Sequence, residues 1–280
     1  MRIIDANNIT EEIKRMVIEA NYFLPEDVMK ALENARKNDD WKLSQDILDK
    51  IIENARIADT EQVPMCQDTG MVVVFLKIGQ EVIIKNGYIG DAINEGIRRG
   101  YEEGYLRKSV VGDPIKRLNT NDNTPAVINY EIVPGDKLNI MVAVKGFGSE
   151  NMSRLKMLKP SDGLEGVKDF ILETVELAGS NPCPPIVVGV GIGGTFEKVT
   201  LLSKKALLRD LDSYNEDPFY ADLEREMLER VNNLGIGPQG FGGRTTALKV
   251  NIEYFPTHIA GLPVAVNINC HATRHKEVTL

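Results

Sequence analysis

Cysteine is scarce in this 280-residue chain: Cys66, Cys183 and Cys270 are the whole supply, each far from the others in sequence. So few thiols exclude a secreted disulfide framework, and an odd count leaves one over if the other two pair. Positive charge is also in deficit, with 33 Lys and Arg against 41 Asp and Glu. No stretch interleaves clustered basic residues with aromatics, so nothing offers a track for a phosphate backbone. Long apolar runs are missing too. Met71–Leu76 and Pro185–Val190 fall far short of the roughly 20 residues that cross a bilayer as a helix. The N-terminal MRIIDANNITEEIKR has no basic segment followed by an apolar stretch. A cytoplasmic protein with neither nucleic-acid nor membrane partners is expected.

What is present suffices for a core. Hydrophobic residues make up 42% and charged residues 26% of the chain, the balance of an ordinary globular protein. The expected organisation is a single domain over residues 1–280 with a helical N-terminal region of about 1–60. Thr10 can cap a first helix that turns Ile13, Met16, Val17 and Ala20 to one face. Pro25 opens a second helix, and Leu43, Ile47, Leu48, Ile51 and Ala55 line a third. Beyond residue 60 the pattern changes. Met71–Leu76 is a β-branched apolar run of strand length, and Glu81–Ile84 could be another strand. Gly90–Leu106 resumes a helical period. Two runs between Val127 and Val144 flank Pro134-Gly135-Asp136, the signal of a β-hairpin. Helices are predicted over 163–178, 195–209 and 217–233, and strands over 185–190, 245–254 and 262–269. The fold class is therefore α+β, with the helical N-terminal region followed by mixed β-sheets flanked by helices.

Chemistry-bearing residues gather in five irregular, Gly- and Pro-rich segments beside those strands. Cys66 lies in Pro64-Met65-Cys66-Gln67-Asp68-Thr69-Gly70. A lone cysteine is ordinarily a small buried hydrophobe, but the polar cluster after it follows no helical or strand period. Lys145-Gly146-Phe147-Gly148 ends a predicted strand and could bring backbone N–H groups to an anion, or could merely turn the chain. Cys183 sits between Pro182 and Pro184, and the strand after it leads into Gly189, Gly191 and Gly194. Those glycines match the dinucleotide fingerprint, yet the acidic strand end expected about 20 residues later is missing. Five glycines between Gly235 and Arg244 suggest close approach of a ligand to backbone. All three histidines, His258, His271 and His275, lie near the C-terminus, and His271 adjoins Cys270, which favours a reactive or metal-linked site.

In this order, PMCQDTG, KGFGSENMS, NPCPPIVVGVGIGGT, GIGPQGFGGRTT and NCHATRH make the chain resemble the α subunit of class I fumarate hydratase and its relative L(+)-tartrate dehydratase. The resemblance spans residues from about 60 to the end. It implies that Cys66, Cys183 and Cys270 ligate a four-iron, four-sulfur cluster whose fourth iron keeps an open position and acts as a Lewis acid. It further implies that Gln67 and Asp68 face the substrate, that Arg107 and the Gly146–Gly148 loop hold a carboxylate, and that His258 lies near the leaving oxygen. The implied reaction is reversible hydration of fumarate to (S)-malate. Single-chain members carry a second domain after the corresponding region, so this chain is expected to work with a separate β subunit. That subunit would complete the active site in an α2β2 heterotetramer and supply the base.

Three other readings are compatible with the residues: L(+)-tartrate as substrate, a nicotinamide-dependent oxidoreductase using Gly189–Gly194, and a scaffold subunit with unligated cysteines.

Overall fold

A computed structural model describes residues 1–280. In chain order it comprises β1 (Arg2–Asp5), α1 (Ala6–Tyr22), α2 (Glu26–Asn38), α3 (Lys42–Glu61), β2 (Met71–Gly79), β3 (Val82–Lys85) and α4 (Ile89–Glu103). Then come β4 (Val127–Val133), β5 (Leu138–Lys145), the short α5 (Phe147–Glu150), β6 (Arg154–Leu158), α6 (Gly163–Ala178) and β7 (Ile186–Gly193). The chain finishes with α7 (Phe196–Ala206), α8 (Pro218–Asn232), β8 (Ala247–Phe255), β9 (Leu262–Asn269) and β10 (His275–Thr279). The fold is α+β, as the pattern predicts. Two compact units divide it: Met1–Leu24, Asn54–Phe147 and Arg274–Leu280 form the first, Pro25–Glu53 and Gly148–Thr273 the second.

The first unit is built on a four-stranded sheet in the order β10-β5-β2-β4. Val72, Val74 and Leu76 of β2 and Leu138, Ile140 and Val142 of β5 bury one face, the period-two signature of a strand. Ile9, Ile13, Met16 and Val17 of α1 and Ile93 and Ile97 of α4 cover it. Close packing of the two helices depends on small residues. A Cβ on Gly100 would stand 2.2 Å from a methyl of Val17, and one on Gly96 would meet Ile13 at 2.7 Å. Truncating a fully buried residue such as Ile13 should cost about 2–5 kcal/mol.

Two expectations fail in this unit. Thr10 does not cap α1; Asp5 does, its side chain accepting from the Asn7 N–H. Thr10 lies inside the helix, where its buried hydroxyl donates to the Ala92 carbonyl at 3.0 Å. The runs around Pro134-Gly135-Asp136 are not a hairpin either. β4 pairs with β2 in parallel and β5 pairs with β2 antiparallel, so β2 runs between them. A strand apolar on both faces belongs at the centre of a sheet, and β2 is the most apolar of the three. The turn wraps its end, with Gly79 N–H donating to the Lys137 carbonyl at 2.8 Å.

In the second unit the sheet order is β6-β9-β7-β8. Val167, Phe170 and Ile171 of α6 and Leu223 and Met227 of α8 join Val188, Val190, Val250 and Ile252 in its core. α7 packs on the sheet through Gly189 and Gly191, where a Cβ would come within 2.2 Å of the Ser203 and Val199 carbonyls. These glycines thus admit a helix against a strand. The dinucleotide pattern is a packing device here: no strand follows α7 until β8, with α8 in between.

Candidate active site

The loop from Met65 to Gly70 connects α3 to β2 in the first unit, and groups from α1, α3, α4 and the neighbouring loops pin its backbone at Met65, Asp68, Thr69 and Gly70. Met65 N–H donates to the Asn21 carbonyl at 3.0 Å, and the Met65 carbonyl accepts from Asn54 Nδ2 at 2.8 Å. Arg274 Nη2 donates to the Asp68 carbonyl at 2.8 Å. The Tyr101 hydroxyl lies 2.6 Å from the Thr69 carbonyl and 3.0 Å from that of Gly70. Asn123 Nδ2 donates to the same Gly70 oxygen at 3.1 Å. Burial pushes the Tyr101 phenol well above its usual range, so it stays protonated and keeps donating.

With its carbonyls drawn inward, the loop offers its amides and side chains elsewhere. Asp68 N–H lies 3.4 Å from Cys66 Sγ. The Asp68 carboxylate accepts from Gly70 N–H at 3.0 Å through Oδ1 and from Phe147 N–H at 2.8 Å through Oδ2. Each carboxylate oxygen has two lone pairs, so both keep acceptor capacity toward a further donor. Gly146 gives this carboxylate its room, since a Cβ there would stand 3.2 Å from Oδ2. The backbone anion site expected at Lys145–Gly148 thus already binds one anion, the chain's own Asp68. Arg107 enters through its backbone, whose carbonyl accepts from Thr69 Oγ1 at 2.9 Å, while its side chain is exposed.

Cys183, Cys270, Gly148 and His258 belong to the second unit. Cys183 immediately precedes the Pro184–Pro185 pair that leads into β7, and Cys270 immediately follows β9. β7 and β9 are antiparallel, with Val187 opposite Asn269, so the two cysteines share one end of the sheet. His271 ties their loops, its Nδ1 lying 2.9 Å from the Cys183 carbonyl. Gln239 joins them through Nε2, 2.9 Å from the Pro184 carbonyl and 3.3 Å from His271 Nδ1. Gly148 stands beside this loop, where a Cβ would lie 3.7 Å from the Asn181 carbonyl. Cys183 adopts φ 55°, a left-handed backbone that costs a non-glycine residue about 1–2 kcal/mol.

His258 is placed differently. Gly193 at the far end of β7 is opposite Phe255 of β8, and Thr257 Oγ1 donates to the Gly194 carbonyl at 2.9 Å. The His258 loop is therefore at the opposite end of the sheet from Cys183 and Cys270, about 25 Å away at the rise of a strand. The fold does not bring this exposed histidine to those cysteines. Four of the five glycines of 235–243 also differ from expectation: all but Gly235 approach the chain itself rather than leave room for a ligand. A Cβ would meet Ser180 from Gly240, Trp41 from Gly242 and Ser44 from Gly243, each within 2.5 Å. Arg244 pairs with Asp40 at 2.6 Å.

A family model described as fumarate hydratase (fumerase) matches residues 10–279. The chain belongs to that family. Membership makes it a hydro-lyase by class and reaches back through the helical start, beyond the segment that carries the motifs. A protein of Methanocaldococcus jannaschii provisionally named L(+)-tartrate dehydratase subunit alpha is 47% identical over 275 residues, covering 95% of each chain. The L(+)-tartrate dehydratase subunit alpha of Escherichia coli K12 is 32% identical over 272 residues, covering 96% of this chain and 89% of that one.

Family membership implies an iron–sulfur cofactor. No three His, Cys, Asp or Glu side chains gather at the spacing of a single metal ion. The donor chemistry nonetheless fits a cluster: three cysteines, none in a disulfide and none fully buried, each on a loop or at a strand end. Sequence reasoning missed Asn21, Tyr101, Asn123 and Gln239. The first two sit on helical periods and read as core. Asn123 and Gln239 lie among turn residues, and only their positive φ of 61° and 53° sets them apart.

Proposed function

We propose that this chain is the α subunit of an iron–sulfur hydro-lyase that interconverts fumarate and (S)-malate. The observation that carries the reading is the Asp68 carboxylate, held by the N–H of Gly70 in its own turn and that of Phe147 in α5, while the Asp68 N–H lies on the Cys66 sulfur. Cys66, Cys183 and Cys270 are the proposed ligands. Once bound, a four-iron, four-sulfur cluster with three cysteine ligands would supply a Lewis acid to a substrate oxygen.

The protein's own groups then have defined tasks. Asp68 and Gln67 accept from and orient the substrate hydroxyl, which lies next to the carbon that loses it. A carboxylate that cannot rotate makes that contact without reorganising in the transition state. Arg107, exposed beside the loop, is suited to one substrate carboxylate through its fork of N–H donors. Gly146 and Gly148 leave space for substrate near backbone. His258 takes no part in this reading, because the fold holds it at the far end of its sheet. The base that removes the carbon-bound proton is assigned to a separate β subunit in an α2β2 assembly; the α-subunit names of both relatives support the existence of such a further subunit.

L(+)-tartrate is the second reading, favoured by those same names. A site that hydrogen-bonds an extra hydroxyl discriminates strongly against a substrate lacking it, so rates on the two acids should differ widely. The test is anaerobic reconstitution with the β partner, followed by assays on fumarate, malate and tartrate. Hydration of fumarate with loss of activity in air supports the first reading; turnover of tartrate alone supports the second. Absence of iron and sulfide, or full activity after Cys66→Ser, Cys183→Ser or Cys270→Ser, overturns both.

A further inference from the structure

Arg274 is 2% exposed, yet it is a full positive charge, and its two Nη groups go to neutral oxygens. Nη2 holds the Asp68 carbonyl at 2.8 Å and Nη1 holds Asn21 Oδ1 at 3.0 Å, while Nε is buried with no hydrogen-bond partner. Leaving a buried donor unmet is costly, and an apolar side chain would fill the space without that cost. What only a guanidinium can do is reach two acceptors at once from a planar fork. Asn21 is itself fully buried in the last turn of α1, where Nδ2 donates to the Val17 carbonyl at 2.8 Å, and its own carbonyl accepts from Met65 N–H. One helix end therefore grips the loop on both sides of Cys66, directly at Met65 and through Arg274 at Asp68. Tyr101 and Asn123 continue the grip at the next two carbonyls.

We infer that Arg274 is a positioning residue for Asp68. By fixing the Asp68 carbonyl against α1, it sets the plane of the Asp68–Thr69 peptide and with it the direction from which the Asp68 side chain reaches Phe147. The inference rests on the reading of Asp68 as a substrate-facing group, but its mechanical part stands alone. Three consecutive carbonyls capped by buried side chains leave the loop one backbone conformation.

The experiment uses the reconstituted holoenzyme and the variants Arg274→Lys, Asn21→Leu and Asn21→Asp. Arg274→Lys keeps the charge and loses the fork. The expected result is a kcat at least tenfold lower with KM changed less than threefold, and hydrogen exchange of residues 64–71 at least tenfold faster, while exchange in β5 and β10 stays as in the parent. Asn21→Leu should reproduce the defect, and Asn21→Asp, which keeps an oxygen for Nη1, should recover most of it. Parental exchange and kcat in Arg274→Lys would overturn the inference, as would acceleration of exchange throughout the first unit. If the parent holoenzyme lacks hydro-lyase activity, the functional reading fails, and the exchange data still decide whether Arg274 holds the loop.

Discussion

Two cysteine loops of this protein are made rigid in different ways. Around Cys66, rigidity comes from residues distant in sequence: the side chains of Asn54, Tyr101, Asn123 and Arg274 and the main-chain carbonyl of Asn21 each bond a backbone group of Met65–Gly70. Around Cys183 much of it lies in the local backbone. Pro182 and Pro184 restrict the neighbouring backbone, Cys183 takes φ 55°, and Gln239 N–H fastens the Pro184 carbonyl at 2.7 Å. The first design resists motion only while the whole unit is folded. The second combines the restricted backbone of residues 181–185 with two outside ties, Gln239 on the Pro184 carbonyl and His271 on that of Cys183.

The contrast makes its largest prediction for activity. Asp68→Ala removes the acceptor of both the Gly70 and Phe147 N–H groups, so the loop loses an anchor along with its carboxylate. Steady-state hydration by the reconstituted enzyme should fall about 10³-fold, the scale of one positioned acid–base or electrostatic group. Gln239→Ala, in the turn that fastens the Cys183 loop, leaves the main-chain bond to Pro184 in place, and a loss of only about tenfold is expected. Equal losses would mean that the two loops are not held differently.

Stability offers the next comparison. Gly70 has φ 76°, and a Cβ there would stand 2.9 Å from the Lys145 backbone, so Gly70→Ala adds a clash to the left-handed strain. A cost of about 2–4 kcal/mol is expected. Gly235 has φ 67° with nothing within 4 Å, and Gly235→Ala should cost only about 1 kcal/mol. Chemical denaturation of the cluster-free chain checks both values; similar costs would show that the Gly70 backbone can move away.

A smaller effect tests the carbonyl caps through pH. Folding raises the Tyr101 phenol by burial, so above about pH 10 the folded chain keeps a proton that the unfolded chain releases. The native state then binds more protons, and stability falls as pH rises through that range, whereas below it the contribution is complete. Tyr101→Phe should cost about 1–2 kcal/mol at neutral pH and remove that alkaline decline. Parallel curves for the two proteins would place the decline elsewhere.

The same contrast explains what could be read from the sequence. Elements with one clear period, such as β9 and α6, lie where the pattern puts them, and motif order identifies the family. The failures share a cause: each depends on a partner distant in sequence. The hairpin signal at Pro134-Gly135-Asp136 could not reveal that β2 separates its strands. Glycine patterns at 189–194 and 235–243 announce close approach without saying to what, and the answer is the chain's own helices and loops. His258 adjoins the other histidines in sequence, yet strand β9 carries it to the opposite end of the sheet. Arg274 and Asn21 meet across 253 residues, a pairing no local pattern encodes.

The finest test concerns strain. If Cys183 is held by its own backbone, the left-handed φ is a cost that the folded chain bears locally, of about 1–2 kcal/mol. Glycine would remove that cost but add entropy to the unfolded chain, a penalty of about 0.5–1 kcal/mol. Cys183→Gly should therefore leave the melting temperature of the cluster-free chain unchanged or raise it slightly, whereas Cys183→Ala, which keeps a Cβ, should not raise it. Cys66 is not among the residues with positive φ, so Cys66→Gly gains no relief and should melt lower than Cys66→Ala. The opposite sign at Cys183 would mean that the strain is relieved by contacts of the thiol itself, and its loop would then resemble that of Cys66 in depending on partners beyond its own segment.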